Sequence, residues 1–247
     1  MQAIVLAAGY ATRLYPLTLD TPKPLLEVGD RPILERLLDQ LEEIPSLERV
    51  YVVTNAKFAP HFREFADGWT GRLELDVVDD GTESDETKLG AIGDLELVIR
   101  DPDFDDDVLV AAGDSIFDGA RLDDFARLGL EKRAPVEAVY DVGDLEAVKR
   151  YSVITADDDG RVVAFEEKPD KPKSTLAGIA LYFYPRSTLP LIGRYLAEGN
   201  NPDQPGRLVE WMHTRTPVYV WPVPGRWYDI GSPETLEQAG RELTRTD

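Results

Sequence analysis

Short, continuously apolar runs alternate with segments of helical period through the first half of the chain, and no other feature narrows its fold so far. Ala3–Ala7 is apolar throughout and reads as a strand buried on both faces, the usual condition of a parallel sheet under helices. RPILERLLDQLEEI, Arg31–Ile44, carries Pro near its start and Leu at helical spacing and reads as a crossover helix, with RVYVVTN as the next strand. FAPHFREFAD then reads as a short helix, RLELDVV as a strand, TKLGAIGDLELVI as a helix and DVLVAAGD, Asp107–Asp114, as a buried strand ending in a carboxylate. The alternation predicts an α/β fold of βαβ units with a doubly wound, mostly parallel sheet, which binds ligands beyond the carboxyl ends of its strands.

After about Pro135 the texture turns to strand-like runs, PVEAVYDV, YSVITA, RVVAFEEKP, GIALYFYP and PVYVWPV, broken by DDDG and proline turns. Helices are expected at Ser187–Ala197, Leu208–His213 and Pro233–Leu243. No linker, repeat or low-complexity stretch intervenes, so residues 1–247 read as a single domain. Its first half spans about 1–134 and its β-rich second half about 135–247.

The chain has 27 basic and 47 acidic residues, a net charge of -20, which repels polyanions and argues against non-specific binding of nucleic acid or anionic lipid. An anionic substrate would have to meet a local basic pocket. There is no Cys, hence no disulfide, thiolate metal site or cysteine nucleophile. No stretch approaches the roughly 20 apolar residues that cross a bilayer, and the start has no basic n-region. A cytoplasmic location is expected, with no membrane partner; a homo-oligomer stays open.

The loop after the first strand, LAAGYATRLYPLTLDTPKPLL, offers backbone N–H groups around Ala8–Thr12 that can cradle phosphate oxygens. Arg13 adds a planar fork suited to phosphate and Lys23 a compact point charge. A plain surface turn with solvated cations fits the same residues.

Together these residues closely resemble the signature of the sugar-phosphate nucleotidylyltransferases, L-A-A-G-x-G-T-R-L-x-P-L-T-x-x-x-P-K-P-L, with Ala11 at the second glycine. The resemblance implies a Rossmann-like nucleotidyltransferase fold and a nucleotide site at Leu6, Ala7, Ala8, Gly9, Tyr10, Ala11, Thr12, Arg13 and Lys23. VLVAAGDSIFD resembles the family's strand ending in G-D, which implies that Asp114 binds magnesium, although a lone Asp after a strand is more often a turn or cap. GRWYDIGSPETLEQA is similar to W-x-D-x-G-T-P-E-x-L and implies Asp229 as the second Mg²⁺ ligand. RVVAFEEKPDKPKS resembles the E-K-P segment, implying Glu167 on sugar hydroxyls and Lys168 on the sugar phosphate; a strand end with solvated charges is the plainer alternative. KRYSVI puts Ser152 where the family commonly has a glycine near the sugar, and LGAIGDL, with Gly90, loosely resembles L-G-T-A-G-x-L of the base-reading segment. Matched segments run to about Ala239.

The implied reaction joins a nucleoside triphosphate and a sugar-1-phosphate into a nucleotide sugar and pyrophosphate with Mg²⁺, using Arg13, Lys23, Asp114, Lys168 and Asp229. A phosphate monoester with a second pKa of about 6 needs no general base near pH 7. His61 and His213 lie outside every matched motif and are expected as surface or helix residues. A glycosyltransferase of similar fold that uses a nucleotide sugar, and a catalytically inactive nucleotide sensor, remain as alternatives. Against the first, the position of an Asp-x-Asp metal motif reads Asp114-Ser115-Ile116.

Overall fold

The computed structural model describes residues 1–101 and 104–243. In chain order the elements are β1 (Gln2–Leu6), β2 (Glu27–Val28), β3 (Arg31–Pro32), α1 (Ile33–Glu42), β4 (Arg49–Thr54), α2 (Ala59–Gly68), β5 (Glu74–Asp79), α3 (Ala91–Ile99), β6 (Val108–Ala112) and β7 (Ser115–Asp118). There follow α4 (Leu122–Lys132), β8 (Val136–Asp141), β9 (Ser152–Ala156), β10 (Val162–Glu167), β11 (Leu176–Tyr184), α5 (Pro190–Ala197), α6 (Pro205–Met212), β12 (Tyr219–Pro222), β13 (Arg226–Asp229) and α7 (Pro233–Leu243). They form two compact units, one of Met1–Leu89, Ala111–Asp123 and Pro224–Asp247, the other of Gly90–Val110 and Asp124–Val223. None of the described helices is long and apolar enough to cross a membrane.

In the first unit β1 pairs in parallel with β4, Val5 opposite Val52, and β4 in parallel with β5. These strands therefore end on the same edge, at Leu6, Thr54 and Asp79, where a parallel sheet presents its loops to ligands. Helix α1 packs on its apolar stripe: Ile33, Leu34, Leu37, Leu38 and Leu41 are all buried, each worth about 1.5–3 kcal/mol relative to exposure. A cluster of Val28, Ile33, Ile116, Ile230, Ala239 and Leu243 fixes α7 to this unit. The antiparallel ladder of β7 and β13 joins segments more than a hundred residues apart, with Asp229 opposite Ser115.

The second unit is rich in antiparallel pairs: β8 with β11, β9 with β11, and β9 with β10, while β12 runs parallel to β8. Strand and helix alternate in the first half and strands dominate the second, as the sequence predicts. Several boundaries differ. The helix expected from Thr87 starts at Ala91, because Gly90 adopts φ 81° and carries no helical turn before it. The strand expected over Asp107–Asp114 stops at Ala112, and the chain turns through Gly113 and Asp114 before β7. Helix α6 starts at Pro205 rather than Leu208, since Pro is pre-organised for the first helical position. The predicted helix at Ser187 is a 3₁₀ turn, Arg186–Thr188, followed by α5. Helix α4, which the sequence pattern leaves unassigned, buries Leu122, Phe125 and Ala126 among its charges.

Candidate functional site

The candidate residues fall into two sets, one in each unit. In the first, β1 delivers the chain to Ala7 and Ala8, both buried. Ala7 N–H donates to Val53 O at 2.8 Å, and the buried Asn55 amide donates to Ala8 O at 2.9 Å. Asn55 also accepts from Phe58 N–H, so one side chain ties the end of β4 to this loop. Gly9 is exposed, and nothing lies within 4 Å of where a Cβ would stand. The ring of Tyr10 is buried, its hydroxyl donates to Thr82 O, and burial pushes that hydroxyl above its ordinary pKa.

Ala11 is left-handed, φ 48° and ψ 41°, and its carbonyl accepts from Leu14 N–H at 2.9 Å and from Thr18 Oγ1 at 2.8 Å. A 3₁₀ turn, Thr12–Leu14, follows and leaves Thr12 and Arg13 exposed. Among the described residues the Arg13 guanidinium has neither hydrogen bond nor ion pair.

Lys23 opens a second 3₁₀ turn between the buried prolines Pro22 and Pro24. Its side chain is 11% exposed, and its ammonium donates to Asp114 Oδ2 at 2.5 Å. Asp114 sits in the turn after β6, where Gly113 N–H bonds Leu6 O at 3.0 Å, so this turn is seated at the end of β1. Ile230 N–H donates to the Asp114 carbonyl at 3.3 Å, and Asp229 faces Ser115 in the ladder. Three separate stretches of sequence thus bring Lys23, Asp114 and Asp229 to one place in the first unit.

Two carboxylates with an ammonium already on one of them form an oxygen-donor set that fits Mg²⁺, which uses one or two carboxylates and completes its shell with water and substrate phosphate. No group of three or more His, Cys, Asp or Glu that could hold a metal alone occurs among the described residues.

The second set lies in the other unit. Ser152 is buried, pairs with Glu167 across β9 and β10, and donates its hydroxyl to Glu167 Oε2. The Glu167 side chain is 5% exposed; Lys168, half exposed and left-handed at φ 47°, holds its ammonium 3.5 Å from Glu167 Oε1. Helix α6 closes over this pair, since a Cβ on Gly206 would overlap both Glu167 Oε2 and Ser152 Oγ. Gly90 is elsewhere in the unit, against Pro202: a Cβ there would come within 2.7 Å of the Pro202 carbonyl, and Ile92 N–H donates to that same oxygen. His61 edges onto Phe58 and His213 stacks on Phe165, both outside the two sets.

Sequence reasoning missed Glu137, 1% exposed on β8 with neither oxygen hydrogen-bonded in the described structure. Burial first and the charge of Glu167 second raise its pKa well above the ordinary carboxylate range. A charged residue inside a run otherwise buried on both faces, Val136–Val139, is the signal that could have found it.

This fold is that of the nucleotidyltransferases: UDP-glucose pyrophosphorylase, solved with UDP-glucose, superposes with a TM-score of 0.82 at 20% identity, over 100% of this chain and 99% of its own. Residues 2–246 match the Nucleotidyl transferase family, and the chain belongs to it. The bifunctional protein GlmU of Methanocaldococcus jannaschii is 26% identical over 98% of this chain. The UTP–glucose-1-phosphate uridylyltransferase AglF of Haloferax volcanii is 32% identical over 74% of it. The chain spans 54% of the first relative's length and 72% of the second's.

Proposed function

We propose that the chain is a Mg²⁺-dependent sugar-1-phosphate nucleotidylyltransferase, converting a nucleoside triphosphate and a sugar-1-phosphate into a nucleotide sugar and pyrophosphate. The observation that carries this reading is the meeting of Lys23, Asp114 and Asp229 at the end of β1, beside the Ala7–Thr12 loop. The names of the matched relatives support it, AglF being a glucose-1-phosphate uridylyltransferase.

The reaction is an attack by a sugar-phosphate oxygen on the α-phosphorus of the triphosphate. The attacking monoester is already largely dianionic near neutral pH, so no side chain has to take its proton. What the protein must supply is alignment and screening of two anions. In the first unit Arg13 is exposed and, among the described residues, unpaired, ready for the departing β- and γ-phosphates by its planar fork. Lys23, pre-positioned between two buried prolines, would sit at the α-phosphate. In the second unit Glu167 would accept from sugar hydroxyls, and Lys168 would meet the sugar's phosphate. Mg²⁺ held by Asp114 and Asp229 would neutralise charge on the phosphates when bound.

The test is pyrophosphate release with Mg²⁺, crossing ATP, CTP, GTP, TTP and UTP with glucose-, mannose-, galactose- and N-acetylglucosamine-1-phosphate, at low and high salt. Release that requires both a triphosphate and a sugar phosphate is expected. Triphosphate binding without release for any pair would refute the reading and favour a sensor.

A further inference from the structure

We propose that Glu137 is a positioning residue for the sugar-phosphate half of the site, acting through Glu167 as a neutral carboxylic acid whose ionisation sets the alkaline limit of sugar-phosphate affinity. The proposal rests on the reading that Glu167 and Lys168 recognise the sugar phosphate.

The geometry begins in the sheet of the second unit. Gly178 of β11 pairs with Val139 of β8 on one side and with Ser152 of β9 on the other, and Ser152 pairs in turn with Glu167 of β10. The Glu137 carboxyl occupies the space over Gly178 that a side chain there would fill: a Cβ on Gly178 would overlap Glu137 Oε1. One strand spacing, about 4.8 Å, separates that position from Ser152, whose hydroxyl donates to Glu167. Glu137, Gly178, Ser152 and Glu167 therefore form one continuous layer, with the two carboxyls at its ends.

Among the described residues, nothing around Glu137 could balance a charge on it. From β11 come Tyr182 and Tyr184, whose hydroxyls burial keeps protonated far above their ordinary range. Strand β9 contributes Ser152, and β12 places Val220 beside Glu137 in the ladder. Strand β10 contributes Glu167 and then Lys168, whose ammonium is already on Glu167. On α6, Arg207 pairs with Glu210, and His213 at its end stacks on Phe165. A charge on Glu137 in so dry a layer, with the Glu167 carboxyl beside it, is strongly disfavoured, so the proton stays on Glu137.

In that state Glu167 keeps its bond from Ser152 on Oε2 and its Oε1 beside Lys168. When Glu137 loses its proton to water at high pH, the new charge repels Glu167 and adds to the repulsion felt by the dianionic sugar phosphate.

The experiment follows wild type and Glu137→Gln from pH 6 to pH 9 in two measurements. The first is the KM for glucose-1-phosphate, or whichever sugar-1-phosphate supports turnover, alongside the KM for the triphosphate and kcat. In wild type the sugar-phosphate KM should rise about tenfold toward alkaline pH, as about 1.4 kcal/mol of added repulsion would produce. The triphosphate KM should not follow it, and Glu137→Gln should flatten the rise. A purely structural role would move both KM values or kcat together, and either a flat wild-type profile or an equal rise in the variant overturns the proposal.

The second measurement is urea unfolding over pH 4 to 9, which needs no turnover. An acid whose folded pKa exceeds its unfolded value of about 4.5 loses stability as pH rises from there through its folded pKa. Wild type should therefore fall progressively behind Glu137→Gln with rising pH. Parallel curves would show that Glu137 is not held neutral and would overturn the proposal, whatever the activity. Diverging curves in a chain that transfers no nucleotidyl group would refute the proposed reaction and, with it, the sugar-phosphate role, while leaving the neutral carboxyl standing.

Discussion

Ala11→Gly tests the loop after β1 with a single heavy atom. Ala11 is held at φ 48° and ψ 41°, and the conformation is fixed by two bonds to its carbonyl, from Leu14 N–H and from the buried Thr18 hydroxyl. A left-handed conformation costs an L-residue about 1–2 kcal/mol because Cβ crowds the following carbonyl, and glycine escapes that cost. Glycine also loosens the unfolded chain, which offsets about 0.4–1 kcal/mol of the gain. The net expectation is a stabilisation of about 0.5–1 kcal/mol, a rise of about 2–4 °C in melting temperature per kcal/mol for a chain of this length. Urea unfolding of wild type and variant, read as midpoint at equal slope, measures it. Ala11→Val is the opposite control: its branched side chain suits positive φ poorly, so it should lower the midpoint. An unchanged or lowered midpoint for Ala11→Gly, or a tolerated Ala11→Val, would show that the loop relaxes out of this conformation and that the reasoning fails.

Asp114→Asn should lower kcat about 100-fold or more, on the scale of losing one well-placed electrostatic group. It should also destabilise the chain by about 1–2 kcal/mol, between the limits for exposed and buried pairs, because Lys23 is 11% exposed; steady-state kinetics and urea unfolding check the two effects. Lys168→Ala removes a half-exposed side chain, so stability should stay within about 0.5 kcal/mol while the sugar-phosphate KM rises about tenfold or more; an unchanged KM would take Lys168 out of the site. Gly206→Ala would drive a methyl into Glu167 and Ser152, and a loss of about 1–3 kcal/mol with a raised sugar-phosphate KM is expected in unfolding and kinetic assays.

What the sequence reveals about this molecule depends on whether a signal is local. The run Ala3–Ala7 and the Leu stripe of α1 announce themselves because a strand buried on both faces and a one-sided helix leave different periods in the chain. Helix α4 is harder to read: Asp123, Asp124, Arg127, Glu131 and Lys132 crowd a stripe of only a few buried residues. Motif likeness singles out Asp114 and Asp229 separately, yet nothing local says that they are neighbours. That fact comes from a ladder of two four-residue strands, whose mixed patterns Ser115–Asp118 and Arg226–Asp229 carry no clear alternation.

Glu137 shows the same limit from the other side. A glutamate in a strand normally implies an outward face, and an alternating pattern would have put it in water. Here its neighbours Val136, Ala138 and Val139 are buried as well, so both faces of β8 are covered and alternation carries no information. The residue's character is set by what lies across the sheet, a glycine that yields it room and a second carboxylate that withholds a counter-charge. Those are properties of pairing between strands separated by tens of residues, and only the folded chain supplies them.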